Sequence, residues 1–148
     1  MRVKCISTFP SEEQIAELGK EFYRERDFHL TLGKEYVVFA LEFHRESKTL
    51  GTGAWVAILT DFDVLTTVPL CLFNLTDGQL SRHWRAEVLK DQTVLISPPL
   101  LLRDFFYEEL AELEGQAVAD FNRLRSQMER EAWESQEGAE STPARGPR

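Results

Sequence analysis

The side chains suited to acid–base, nucleophilic or metal chemistry are three histidines, two cysteines and scattered carboxylates. His29, His44 and His83 stand far apart, and none belongs to a His-Glu-x-x-His helix or to a Cys/His ligand pair. No metal site or cofactor is expected. His29 and His83 alternate with apolar neighbours in strand-like segments and are expected to face solvent, while His44 closes a strand. Gly33-Lys34-Glu35 and Gly51-Thr52-Gly53 do not feed a helix N-terminus, which a phosphate loop requires, so ordinary turn and bulge glycines explain both. A Gly-x-Ser-x-Gly elbow is absent. Cys5 and Cys71 lack Cys-x-x-Cys spacing and sit in apolar runs, the pattern of buried free thiols in a reducing compartment. With no assembled reactive set, an enzyme is not expected.

The remaining chemistry is recognition. Asp61 and Asp63 flank Phe62 in a segment expected to be an exposed turn; two acids around one ring could form an interaction tip, the ring giving buried area and the carboxylates orienting basic groups. Ordinary turn chemistry favours a different arrangement, in which the aspartates hydrogen-bond their own backbone and Phe62 folds inward. Trp84 lies in Arg82-His83-Trp84-Arg85, where strand neighbours point to opposite faces, so either the indole or its basic neighbours are exposed, and an inward indole is expected. The candidate partner-contact set is Asp61, Phe62, Asp63, Asp77 and Trp84.

Charge narrows the partner. The 148 residues carry 25 Asp and Glu against 17 Lys and Arg, a net charge of −8, which repels a phosphate backbone and disfavours direct nucleic-acid binding. The same charge attracts a basic protein surface, although solubility alone also accounts for it. No secretory signal or membrane-spanning window is found, so a cytoplasmic protein without a membrane partner is expected.

These residues must be held by elements the pattern also forecasts. Length fits one domain over 1–133. Ser11 and Gln14 form a capping-box signature, and Ile15, Leu18 and Phe22 give one apolar stripe, predicting a helix to about Tyr23. From Phe28 to Ile96 strand follows strand. Phe28, Leu30 and Leu32 alternate with polar residues, Tyr36–Leu41 is an unbroken apolar run continuing to about His44, and a hairpin leads from there into 54–59. The next strand, 64–75, is interrupted by Pro69, which places that residue at an edge, bulge or bend. Asp77-Gly78 predicts a tight hairpin with 79–88 as its returning strand, a further turn at 89–92 leads to 93–96, and Pro98-Pro99 ends the sheet. Leu110, Leu113, Ala117, Phe121, Leu124 and Met128 recur at helical spacing, predicting two helices with a break near Gly115. The polar segment 134–148 is expected to be a disordered tail. The fold class is therefore α+β: a strongly twisted antiparallel sheet or an SH3-like partial barrel, with an N-terminal helix and C-terminal helices.

Three stretches carry a resemblance. Gly33-Lys34-Glu35-Tyr36-Val37-Val38-Phe39-Ala40-Leu41, the run from Pro69 to Trp84, and a proline-rich step into Phe105-Phe106-Tyr107 resemble small bacterial immunity proteins of polymorphic and contact-dependent toxin systems. The resemblance covers roughly residues 1–132. It implies a cytoplasmic protein that binds and neutralises a cognate toxin domain, a basic nuclease being one candidate, through an acidic surface, and it transfers no binding residue by position. Two other readings stay open: a small-ligand or enzymatic domain using the barrel mouth, with Tyr36, His83 or the loop carboxylates around a pocket, and an adaptor subunit. The toxin's identity and the oligomeric state are not legible in the sequence.

Overall fold

A computed structural model describes residues 1–140, with the side chains of 135–140 left aside. The chain order is β1 (Arg2–Cys5), α1 (Glu12–Leu18), β2 (Glu35–Val37), β3 (Ala40–Ser47), β4 (Gly51–Leu59), β5 (Leu65–Pro69), β6 (Phe73–Asp77), β7 (Arg85–Val88), β8 (Val94–Ser97), α2 (Phe106–Ala111) and α3 (Gly115–Glu140). Two antiparallel sheets form, β2-β1-β6 and β5-β4-β3-β8-β7, so the architecture is α+β without a closed barrel or a barrel mouth.

Two apolar segments carry the chain from one sheet to the other, and this explains why they read as continuous strands. Tyr36–Leu41 is not one strand: β2 pairs with β1 and β3 with β4, while Val38 and Phe39 between them are buried. A residue at the junction of two sheets meets core on every side, so the segment loses the alternation of a half-exposed strand. In the same way 64–75 divides. Pro69 ends the edge strand β5, as its missing N–H requires, and a 3-10 turn at Leu70–Leu72 leads into β6 of the other sheet.

Other expectations fail for identifiable reasons. The capping box at Ser11 forms, with Gln14 N–H donating to Ser11 Oγ at 3.2 Å and Ser11 N–H to Gln14 Oε1 at 2.8 Å, but α1 stops at Leu18 because Gly19 takes a left-handed φ of 72°. A 3-10 turn at Glu21–Arg24 then buries Tyr23 and leaves Phe22 exposed, reversing the expected stripe. Residues 28–32 form no strand. His29 has φ 55°, and local bonds hold the segment instead: His29 N–H to Asp27 Oδ1 at 2.7 Å and Thr31 N–H to Tyr36 OH at 2.8 Å. Phe28 is nevertheless buried, so its alternation came from a loop laid across the core.

The Asp77-Gly78 hairpin is also absent. β6 pairs with β1, and the strand that follows shrinks to β7, which pairs with β8. Gly78 does not adopt the positive φ that a primed turn needs; Asp77 Oδ1 instead accepts from Gln79 N–H at 3.1 Å. Loop 78–84 is held to α3 by Glu131, which accepts from Ser81 Oγ at 2.6 Å and Arg82 N–H at 2.8 Å.

The helical break near Gly115 is present, and Ala117, Phe121, Leu124 and Met128 are buried along α3. Leu113 leaves the expected stripe because α2 has ended and the residue sits in a turn. α3 continues to Glu140, past the expected start of the tail at 134; the rest of that expectation, residues 141–148, lies outside the described residues. Around Trp55, Val56, Ile58, Val68 and Leu72, all fully buried, one core joins the sheets to the helices. Its polar anchor is a relay in which Trp55 Nε1–H donates to Tyr23 OH at 3.0 Å and Tyr23 donates to Leu50 C=O at 2.8 Å. Cys5 is buried and Cys71 half-buried, both free, with burial pushing each thiol's pKa up. No helix among the described residues is long and apolar enough to cross a membrane.

Candidate functional site

The β4–β5 turn is closed by Thr60 N–H donating to Val64 C=O at 3.0 Å and Asp63 N–H to Thr60 C=O at 2.9 Å. Its two carboxylates are not used on their own backbone, which overturns the solvated-turn expectation. Asp61 accepts from Lys34 Nζ at 2.5 Å, Thr31 Oγ1 at 2.6 Å and Tyr36 OH at 2.9 Å, tying the turn to the loop ahead of β2. Partial burial raises the Asp61 pKa, but these three donors more than offset it and leave the carboxyl below its ordinary value. Tyr36 is pushed up to about 12, first by burial and further by the Asp61 carboxylate that takes its hydrogen bond. Asp63 pairs with Arg125 of α3 at 2.8 Å, and Arg125 also holds Glu129 at 2.9 Å. Phe62 is 68 % exposed, its ring 4.3 Å from that of His29.

The Asp63–Arg125 pair separates two adjoining depressions, since both residues line each of them. On one side lies a charged cleft of about 260 Å³ containing Glu35, Asp61, Asp63 and Glu129 against Lys34 and Arg125, a local balance of four acids to two bases, or −2. Each of these acids is ion-paired, Glu35 with Arg2 at 3.5 Å and the others as above. On the other side an apolar groove of about 330 Å³ runs between Val64 and Leu65 of the turn and β5, Tyr107 and Leu110 of α2, Leu113, and Val118 and Phe121 of α3.

The remaining candidates lie elsewhere. Asp77 faces Arg2 at 4.0 Å, and the Arg2 guanidinium lies 4.4 Å from the centre of the Trp133 ring that lines the charged cleft. Trp84 is buried and donates its indole N–H to Phe39 C=O at 2.7 Å. It is a core residue, as an inward indole requires, and is not presented to a partner. Asp61, Phe62 and Asp63 are thus brought together, and Asp77 is linked to their cleft through Arg2, which contacts the cleft residues Glu35 and Trp133.

The sequence reading passed over the segment beside the groove. Residues 103–114 hold Asp104, Glu108, Glu109, Glu112 and Glu114 against Arg103 alone, which is −4, half of the chain's net charge in twelve positions. Glu109 pairs with Arg103, whereas Asp104, Glu108, Glu112 and Glu114 are exposed and make no ion pair among the described residues. Phe105 and Leu113, at the two ends of α2, are 74 % and 78 % exposed. Local charge density was the signal available, and a helical stripe that included Leu113 concealed it.

A second polar cluster sits on β3. His44 Nε2 lies 2.8 Å from Glu42 Oε2 and Nδ1 3.3 Å from Thr93 Oγ1, while Thr67 Oγ1 donates to Glu42 Oε1 at 3.4 Å. The pair borders a cavity of about 230 Å³ that Tyr107 also lines, and the Tyr107 pKa is raised by burial and then by the Glu42 charge. With both ring nitrogens and both carboxylate oxygens engaged, the pair braces the strands. Of the residues expected around a pocket, Tyr36 and the loop carboxylates Asp61 and Asp63 line the charged cleft together, whereas His83 belongs to the loop held by Glu131. Among the described residues no group of three or more His, Cys, Asp or Glu could hold a metal ion. Comparison with protein families, with characterised proteins and with solved structures yields no match.

Proposed function

We propose that this chain is a cytoplasmic immunity protein that binds and neutralises the toxin domain of a polymorphic toxin system, and that the toxin presents a basic surface. The observation that carries the reading is segment 103–114: four exposed carboxylates in no ion pair among the described residues, in the same twelve positions as two large apolar side chains exposed by more than 70 %. Exposed apolar side chains set among charges are what a protein-binding patch offers, and the sign of these charges favours a basic partner while repelling nucleic acid directly. The paired acids of the cleft contribute less to steering, because a charge and its neutralising neighbour form a dipole whose field falls faster than that of a lone charge.

Expressed together with the product of the neighbouring reading frame, the chain should form a stoichiometric complex and restore growth to cells making that product. Absence of both complex and rescue rejects the reading. The cavity beside Glu42 and His44 supports a second reading, a small-ligand module, and a ligand whose affinity collapses in His44→Ala while complex formation is absent would favour it.

A further inference from the structure

Phe105 and Leu113 have φ values of 62° and 58°, a left-handed backbone that L-residues adopt at a cost and that favours glycine or asparagine. Caps whose sole task was to begin and end α2 would be served better by those small residues, yet a large exposed apolar side chain stands at each end. Leu113 borders the apolar groove, whose floor includes buried Phe121 and whose walls include Leu110, Val118 and Val64. Glu108, Glu112 and Glu114, exposed and in no ion pair among the described residues, are the chain neighbours of the lining residues Tyr107, Ala111 and Leu113. The basic residue in the groove, Arg125, already has its charge answered by Asp63 and Glu129.

We infer that this groove receives the apolar face of a basic amphipathic segment of the bound protein, Leu110, Leu113 and Val118 contacting its apolar side chains and Glu108, Glu112 and Glu114 its lysines or arginines. The inference rests on the partner-binding reading above and adds the place and mode of recognition: an amphipathic element laid in a groove, with specificity carried by the sign of the rim. A second copy of this chain is disfavoured as occupant because it would bring the same negative rim against this one, and like-charge juxtaposition opposes docking.

The test uses the full chain, isotope-labelled at backbone and methyl positions, titrated with a synthetic amphipathic helical peptide of alternating lysine and leucine faces, about five turns long. Shifts should concentrate at Leu110, Leu113 and Val118 and weaken with added salt. Leu113→Asn, which keeps a residue that accepts the left-handed backbone, should leave the fold's melting unchanged and weaken binding by about tenfold through lost apolar contact. A peptide with serine for leucine that binds as tightly would overturn the apolar half, and one with glutamate for lysine that binds as tightly would overturn the charged half. Shifts centred outside the groove, or a dimer of the chain that dissociates in Leu113→Asn, would overturn the assignment as well. A toxin complex that forms at full affinity in Leu113→Asn would remove the groove from the interface while leaving the neutralising function standing.

Discussion

Replacing Asp61 with Ala should lower stability far more than it slows association with a basic partner. The carboxylate accepts from Lys34, Thr31 and Tyr36, and its side chain is 24 % exposed. Lys34 is 49 % exposed, so its ion pair is worth at most about 1 kcal/mol, and both Lys34 and the Thr31 hydroxyl can turn to water. Tyr36 cannot: the residue is buried, and although its oxygen still accepts from Thr31 N–H, its hydroxyl proton loses its acceptor, at a cost of roughly 1–3 kcal/mol. The sum is about 2 kcal/mol, or a melting temperature lower by roughly 4–8 °C for a domain of this size. Urea unfolding gives the free energy and stopped-flow mixing with the partner the rate. Asp61→Asn should lie between the wild type and Asp61→Ala, because the amide oxygen retains one acceptor position. A loss below about 0.5 kcal/mol combined with a sharply reduced on-rate would refute the reasoning and return Asp61 to the contact surface.

Two other substitutions test how the elements are joined. A Cβ at Gly51 would stand 1.9 Å from the Leu18 carbonyl oxygen at a φ of 94°, so Gly51→Ala should cost about 3 kcal/mol or more by urea unfolding, through backbone strain and collision with the end of α1. Glu131→Gln addresses pH: burial raises the Glu131 pKa, but hydrogen bonds from Ser81 and Arg82 outweigh it and hold the pKa below its ordinary value. A depressed carboxyl contributes stability that is present above its unfolded value of about 4.3 and lost as pH falls through the folded one. The variant should therefore be less stable at neutral pH by about 1–2 kcal/mol and lose less on acidification below about pH 4.5; parallel wild-type and variant curves through that range would contradict the assignment.

Local signals in the sequence located what local physics decides. The Ser11 capping box, the 89–92 turn between β7 and β8, the edge position of Pro69 and the helical break near Gly115 all depend on a few adjacent residues, and all are present. Where a segment's partner lies far along the chain, the pattern misled. Val38 and Phe39 extend an apolar run because two sheets meet there, and Asp77-Gly78 carries hairpin residues while its strand pairs with β1. The candidate site divided along the same line. Asp61, Phe62 and Asp63 were recognisable as a turn, but the pairing of Asp63 with Arg125, 62 positions away, depends on where α3 packs. The unpaired acids of 103–114 could have been found by counting charge in a window, since no tertiary contact is needed to see them.

The central claim is that the exposed acids of 103–114 steer a basic partner onto this chain. It is tested most directly by the association rate constant with the proposed partner, the product of the neighbouring reading frame, measured from about 0.02 to about 0.3 M salt, across which screening shortens the reach of the field severalfold. For the wild type the rate should fall by about tenfold or more over that range, and the triple variant Glu108→Gln, Glu112→Gln, Glu114→Gln should start slower and show a shallower dependence with its melting unchanged. A rate that is flat in salt, or a triple variant indistinguishable from the wild type, would contradict the account.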